Sequence, residues 1–131
     1  MSTRHASLRY RWLWYSIGAL LTLLVIVSGL VPSSDLPRIT LNDKIEHFCA
    51  YFGLATWFAG LVGMRHYLWL ALLLLALGGG IEIAQGLMGL GREADWADFG
   101  ADAVGTATGL LLAYGGLRHW PDWMERWTGR N

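Results

Sequence analysis

Four blocks of apolar residues alternate with short polar segments along this chain. The first, Trp12 to Val31, is interrupted only by Ser16, Thr22 and Ser28, and its length matches the roughly 20 residues that cross a hydrocarbon layer as a helix. Ile45 to Val62, Tyr67 to Leu90 and Asp98 to Leu117 are comparable blocks with a few polar interruptions. Apolar residues fill these blocks instead of marking one stripe, so each predicts a helix with apolar surroundings on most sides. The pattern predicts an all-α integral membrane protein: a four-transmembrane-helix bundle with spans over 12–31, 45–62, 67–90 and 98–117. Residues 1–117 form one domain on this reading. Residues 118–131 form a short tail helix lying at the cytoplasmic interface.

The basic leader with Arg4, Arg9 and Arg11 also suits a secretory signal. The apolar run that follows exceeds the usual 7–15 residues of such a signal, and no A-x-A cleavage site follows it. A retained first span is the expectation. In the tail, Trp120, Trp123 and Trp127 fall at i, i+3 and i+7 with Arg126 and Arg130 interleaved, a pattern suited to an interfacial anchor.

The intervening segments carry turn and cap signals. Pro32 and Pro37 break the first outer loop. Asp43 followed by Glu46, and Asp95 followed by Asp98, have capping-box spacing at the starts of the second and fourth spans. The short turn GMRH makes the second and third spans antiparallel neighbours. Gly78, Gly79 and Gly80 invite a bend or a close helix crossing. Ala101, Gly105, Gly109 and Ala113 recur every fourth residue, a small-residue stripe along which another helix can approach closely. Packing inside the bundle is the preferred use of that stripe; a homo-oligomer or a membrane-protein partner is the other. The single cysteine, Cys49, excludes an intrachain disulfide and is expected as a small packing residue.

A formal net charge of zero hides a polarised distribution. With four spans, Arg4, Arg9, Arg11, Arg65, Arg118, Arg126 and Arg130 share the side of both termini, against Arg38, Lys44 and Arg92 opposite. The positive-inside bias places the N- and C-termini in the cytoplasm of a multi-pass protein. The acids go the other way: only Asp122 and Glu125 are inside, and Asp35, Asp43, Glu46, Glu82, Glu93, Asp95, Asp98 and Asp102 belong to the outer half. The basic residues are dispersed along the membrane edge, which gives nucleic-acid binding no support.

Helical spacing gathers the polar residues. Asp43, His47 and Tyr51 follow one face of the second span, Glu82 and Gln85 one face of the third, and Asp98 and Asp102 one face of the fourth, with Arg92 and Asp95 on the connecting loop. Ionisable groups inside a membrane are costly and normally face the bundle interior or a water-filled cavity. A polar pocket open to the outside, floored by Tyr51 and Gln85, is therefore expected, with Lys44, His47, Arg92 and the acids as its functional residues. Asp43, Glu46 and Asp95 also have a purely capping explanation, and Arg92 one as a counter-charge. Glu82 and Asp102 sit away from helix ends and resist a structural explanation.

The segments DKIEHFCAYFGL and EIAQGLMGLGREADWADFGADAVGTATG resemble the VanZ-like family of bacterial membrane proteins. The resemblance covers residues 40 to 110 and rests on Asp43-Lys44 with His47 and Tyr51, then Glu82 with Gln85, then Arg92, Asp98, Gly105 and Gly109. At Asp102 the family pattern often has asparagine. The family is named for resistance to the glycopeptide teicoplanin, and the resemblance implies a cell-envelope protein acting at the outer face of the bacterial cytoplasmic (inner) membrane.

Three functions compete at this stage. The first is binding of an amphipathic molecule, a lipid-linked envelope precursor or the acyl tail of a lipoglycopeptide, beside membrane lipid. The second is an enzyme acting on a lipid-linked substrate, by acid–base chemistry or through a metal held by His47, Glu82 and Asp98. The third is a structural partner of another membrane protein. No H-x-x-x-H, paired-cysteine or serine-nucleophile motif supports the enzyme, and four spans without an internal repeat argue against a transporter.

Overall fold

The computed structural model describes residues 8–31, 43–89 and 94–129. These form five α-helices and, among the described residues, no strand: α1 Arg11–Leu30, α2 Asp43–Ala59, α3 Tyr67–Met88, α4 Trp96–Gly115 and α5 Trp120–Thr128. The expected segments 12–31, 45–62, 67–90 and 98–117 fall on α1 to α4, with ends displaced by no more than three residues. Single 3-10 turns, Met64–His66 and Leu117–His119, join α2 to α3 and α4 to α5. Two segments, Arg11–Leu30 and Met64–Met88, are long and apolar enough to cross a membrane. α2, 17 residues long with Asp43, Lys44 and Glu46 in its first turn, and α4, with Asp98 and Asp102, are not among them.

The most extensive helix contact is α2 with α4, and glycine makes it possible. A Cβ on Gly105 would lie 2.4 Å from the Phe48 carbonyl oxygen, and one on Gly109 would lie 2.9 Å from the Phe52 carbonyl oxygen. At Gly105 backbone meets backbone, and at Gly109 the small Ala55 side chain shares the contact at 2.9 Å, as small residues permit when helices associate. The Gly105–Gly109 face is therefore covered by α2 of the same chain. Ala113, one turn further on, is fully buried in a core with Tyr51, Leu54, Ala55, Ala59, Leu70 and Leu74. Cys49 points the other way and is exposed, contrary to its expected packing role.

α3 is one continuous helix through its three glycines, and at Gly78 the close crossing that they invited is present. Gly78 faces α2 and α4, Gly79 faces Phe99, and Gly80 faces open space. α1 lies against α2 through Gly18, whose Cβ would strike the Phe58 ring, and against α3 through Gly29 and Ile81. Gln85 secures that second contact by donating to the Gly29 carbonyl at 2.6 Å. Several hydroxyl groups along the helices are satisfied within their own helix: Ser16 donates to the Trp12 carbonyl, Thr22 to Gly18 and Thr108 to Val104.

The C-terminal helix is more than an anchor. Trp120 inserts between α1 and α2, its indole N–H reaching the Thr56 carbonyl at 3.1 Å, and its ring stands 5.5 Å from Trp14 and 4.1 Å from Trp57 between centroids. Gly60 leaves room for that ring. Glu125 then completes the start of α1, which has no side-chain cap of its own. It accepts from the backbone N–H groups of Arg9 at 3.0 Å and Tyr10 at 2.9 Å, and from Trp14 Nε1 at 2.9 Å. A carboxylate here meets the unpaired donors and the positive end of the helix dipole. Trp123 and Trp127 remain exposed.

Partial burial works against ionisation of Glu125, but the hydrogen bonds from Tyr10, Trp14 and Arg9 outweigh it and hold its carboxyl below the ordinary glutamate value of 4.5. A lowered folded-state value means the docked state binds its proton later than the free chain. The stabilisation is therefore fully present above about pH 4.5 and is lost as pH falls through the folded value. Acidification from pH 6 to about pH 3 is expected to release α5 while α2–α4 packing persists, and Glu125→Gln is expected to flatten that transition. Hydrogen exchange resolved over residues 120–128 is the measurement; identical acid profiles for the two proteins would refute the capping role.

Candidate functional site

Three helices place their ionisable residues at one end of the bundle. α2 contributes Lys44, His47 and Tyr51, α3 contributes Glu82, and α4 with its N-cap contributes Asp95, Asp98 and Asp102. Each position follows from local helix chemistry. Asp95 is the N-cap of α4, accepting from the Ala97 N–H at 2.9 Å. Asp98 and Asp102 then follow one turn apart on the buried face, while Val104 and Leu111 occupy the exposed one. Asp43, expected as a cap, is the first residue of α2 and is exposed, placing its charge in the first turn with Glu46.

The centre of the site is a contact between His47 and Asp102. His47 Nδ1 stands 2.7 Å from Asp102 Oδ1, the spacing of a charge-assisted hydrogen bond. Its other ring nitrogen, Nε2, lies 3.6 Å from Asp98 Oδ2. Asp102 is 1% exposed and Glu82 0%. Gly78 makes room for Asp102 and Tyr51: a Cβ there would lie 2.8 Å from Asp102 Oδ2 and 3.3 Å from the Tyr51 hydroxyl. The glycine that looked like a helix breaker is the place where α3 lets α2 and α4 bring polar groups against its backbone.

Glu82 is engaged on one side only. Its Oε2 accepts from the Asp95 backbone N–H at 2.8 Å, which ties α3 to the N-cap of α4. Its Oε1 is buried without a hydrogen-bond partner, as are the hydroxyls of Tyr51 and, one turn below Asp102, of Thr106. Buried polar atoms are normally paired, so these three leave hydrogen-bonding capacity at the ion-paired centre; the hydroxyls of Thr56 and Tyr67, away from it, are also buried without a partner. Lys44 covers the outer edge, donating to Asp95 Oδ2 at 2.7 Å and to Asp98 Oδ1. The Asp95 carboxyl is held below the ordinary aspartate range, first by Lys44 and then by the Ala97 N–H.

One donor atom each from His47, Glu82 and Asp102 falls within 4.8 Å of the others. This set holds Asp102 where spacing alone favoured Asp98, because Asp98 is taken up by Lys44. Tyr51 lies beneath the centre as expected. Gln85 does not; its side chain turns to α1. Ala101 is half-buried beside the crossing made by Gly105 and Gly109. Arg92 lies outside the described residues. Thr106 and Gly78 belong to the site without having been singled out for it; the i+4 relation of Thr106 to Asp102 was the available signal for the first.

No family model, curated protein or solved structure matches this chain.

Proposed function

We propose that this chain is a four-span protein of the bacterial cytoplasmic membrane, with both termini inside, whose polar centre binds the head of an amphipathic cell-envelope molecule at the outer face. The observation that carries the reading is the contrast between the two sides of α2 and α4. His47 of α2 and Asp98 and Asp102 of α4 turn inward onto one another, while Ile45, Val104, Leu111, Leu112 and Tyr114 are exposed. Exposed Leu20, Leu23, Leu24 and Val27 on α1, with Leu68, Leu72 and Leu73 on α3, extend the apolar exterior. In water such a surface is an association liability; in lipid it is the ordinary exterior of a helix bundle, and the buried charges mark its site. The resemblance to VanZ-like proteins supports the same placement.

The head group follows from the charges. Glu82, Asp95, Asp98 and Asp102 outnumber Lys44 and His47, so the centre favours a head rich in hydroxyl and ammonium donors over a bare anion. A lipid-linked sugar or an acylated glycopeptide has that chemistry above an apolar tail. Teicoplanin serves as the probe, with its deacylated core for comparison, titrated onto detergent-purified protein and followed by native mass spectrometry. Glu82→Gln keeps the acceptor for the Asp95 N–H and removes the charge. It is expected to weaken binding at least tenfold, from the loss of about 1.5–3 kcal/mol in a charge-assisted contact, with helicity retained. Equal binding by the folded variant, or by the deacylated core, would overturn the reading.

A second reading is favoured by the His47–Glu82–Asp102 donor set. One imidazole and two carboxylates suit a divalent transition metal, and their donor atoms already lie within 4.8 Å of one another. Such an ion would polarise or hydrolyse a lipid-linked substrate. Elemental analysis of protein purified without chelator separates the two: about one metal per chain, lost in Asp102→Asn, favours the enzyme.

A further inference from the structure

The opposite end of the bundle holds a second site of the reverse charge. Where α1 begins and the Met64–His66 turn leads into α3, there is a cavity of about 440 Å³ whose lining includes Arg11, Tyr15, Arg65, His66, Trp69 and Leu73. Leu61 and Leu70, both buried, form its floor. Arg11 is steadied over the Tyr15 ring at 5.7 Å, and the Tyr15 hydroxyl is itself fixed by donating to the Leu61 carbonyl at 3.2 Å. No acid lines the cavity. Among the described residues, no carboxylate comes within ion-pair distance of Arg11, Arg65 or His66.

We propose that this cavity holds the phosphate-bearing headgroup of an anionic membrane phospholipid. Two guanidinium groups and an imidazole lining one cavity without a carboxylate form an electrostatically incomplete site, and planar guanidinium matches phosphate oxygens in pairs. The wall adds the second half of the ligand. Trp69 and Leu73 are one helical turn apart on α3 and exposed, at 66% and 67%, so they continue the cavity into an apolar track for an acyl chain. A tryptophan at that level is the usual residue of the headgroup boundary, and basic pockets between helices on the cytoplasmic side are suited to anionic lipid heads. The proposal rests on the membrane reading given above, which supplies the lipid and places this end at the cytoplasmic leaflet; it is independent of what the polar centre binds.

The test uses the full chain in detergent micelles. Retention of phosphatidylglycerol is compared with that of phosphatidylcholine of identical acyl chains by native mass spectrometry, for the wild type, for Arg11→Gln/Arg65→Gln and for Arg126→Gln as a control on α5. Phosphatidylglycerol is expected to be retained about tenfold or more over phosphatidylcholine, at roughly fivefold per arginine. The double variant is expected to lose that preference, with the control unchanged and helicity retained in both. Equal retention of the two lipids, or an unchanged preference in the double variant, overturns the site. Displacement of the lipid by millimolar inorganic phosphate overturns the lipid assignment and leaves a soluble phosphate as occupant. Recovery of the protein in the soluble fraction before detergent is added defeats the membrane reading, whereas a membrane-bound protein without lipid preference defeats only this site.

Discussion

Gly105→Val is expected to unfold the α2–α4 interface, with a loss of about 3 kcal/mol, the upper part of the range for forcing extra atoms into a packed contact. The reason lies in what the new side chain meets. A Cβ at this position would stand 2.4 Å from the Phe48 carbonyl oxygen and 3.1 Å from the Phe48 Cα. These are backbone atoms in the middle of a helix, so no rotamer change relieves the clash and the two helices must move apart. That movement also draws His47, adjacent to Phe48, away from Asp102. Gly80→Ala is the matching control: nothing lies within 4 Å of its Cβ position, and alanine favours the helix by about 1 kcal/mol. Thermal unfolding in detergent should separate the two variants by more than 10 °C in opposite directions for a domain of this size, at roughly 2–4 °C or more per kcal/mol. A Gly105 variant as stable as the Gly80 one would show that the helices do not cross at this point.

The contrast between those glycines explains what was legible in the sequence. Helix positions were readable because Trp12 to Val31 and Tyr67 to Leu90 are continuous apolar runs, and the observed α1 and α3 begin and end within two residues of them. The gathering of His47, Glu82, Asp98 and Asp102 was readable from i, i+4 spacing, since a helix permits few arrangements of buried charge. Partner choice was not. Asp98 and Asp102 are alike on a helical wheel, and only the position of Lys44 assigns one to an ion pair and leaves the other to His47. Gln85 shares a face with Glu82, but α1 supplied an acceptor at Gly29 that no sequence spacing announces. Glu125 was hidden for a related reason: it caps a helix more than a hundred residues away in the chain, so local capping rules do not find it.

The second large effect is expected in a double-mutant cycle between His47 and Asp102. Asp102→Asn keeps the size of the side chain and removes its charge; His47→Gln keeps a polar group and removes the ring. Because the Asp102 side chain is nearly inaccessible, each single change leaves the other partner buried beside an inferior contact, a situation that costs more than losing the pair together. The expected coupling is about 1.5–3 kcal/mol in unfolding free energy, the range for a hydrogen bond to a charged group. Each single variant is also expected to lower teicoplanin binding at least tenfold. The two readouts decide between roles. Coupling in both stability and binding makes the pair part of the site that receives the head group. Coupling in stability with unaltered binding makes His47–Asp102 a register device between α2 and α4, of the kind single buried polar pairs supply in other helix bundles. That outcome would move the binding role to the unpartnered side of Glu82, whose Oε1, like the hydroxyls of Tyr51 and Thr106, is buried without a hydrogen bond.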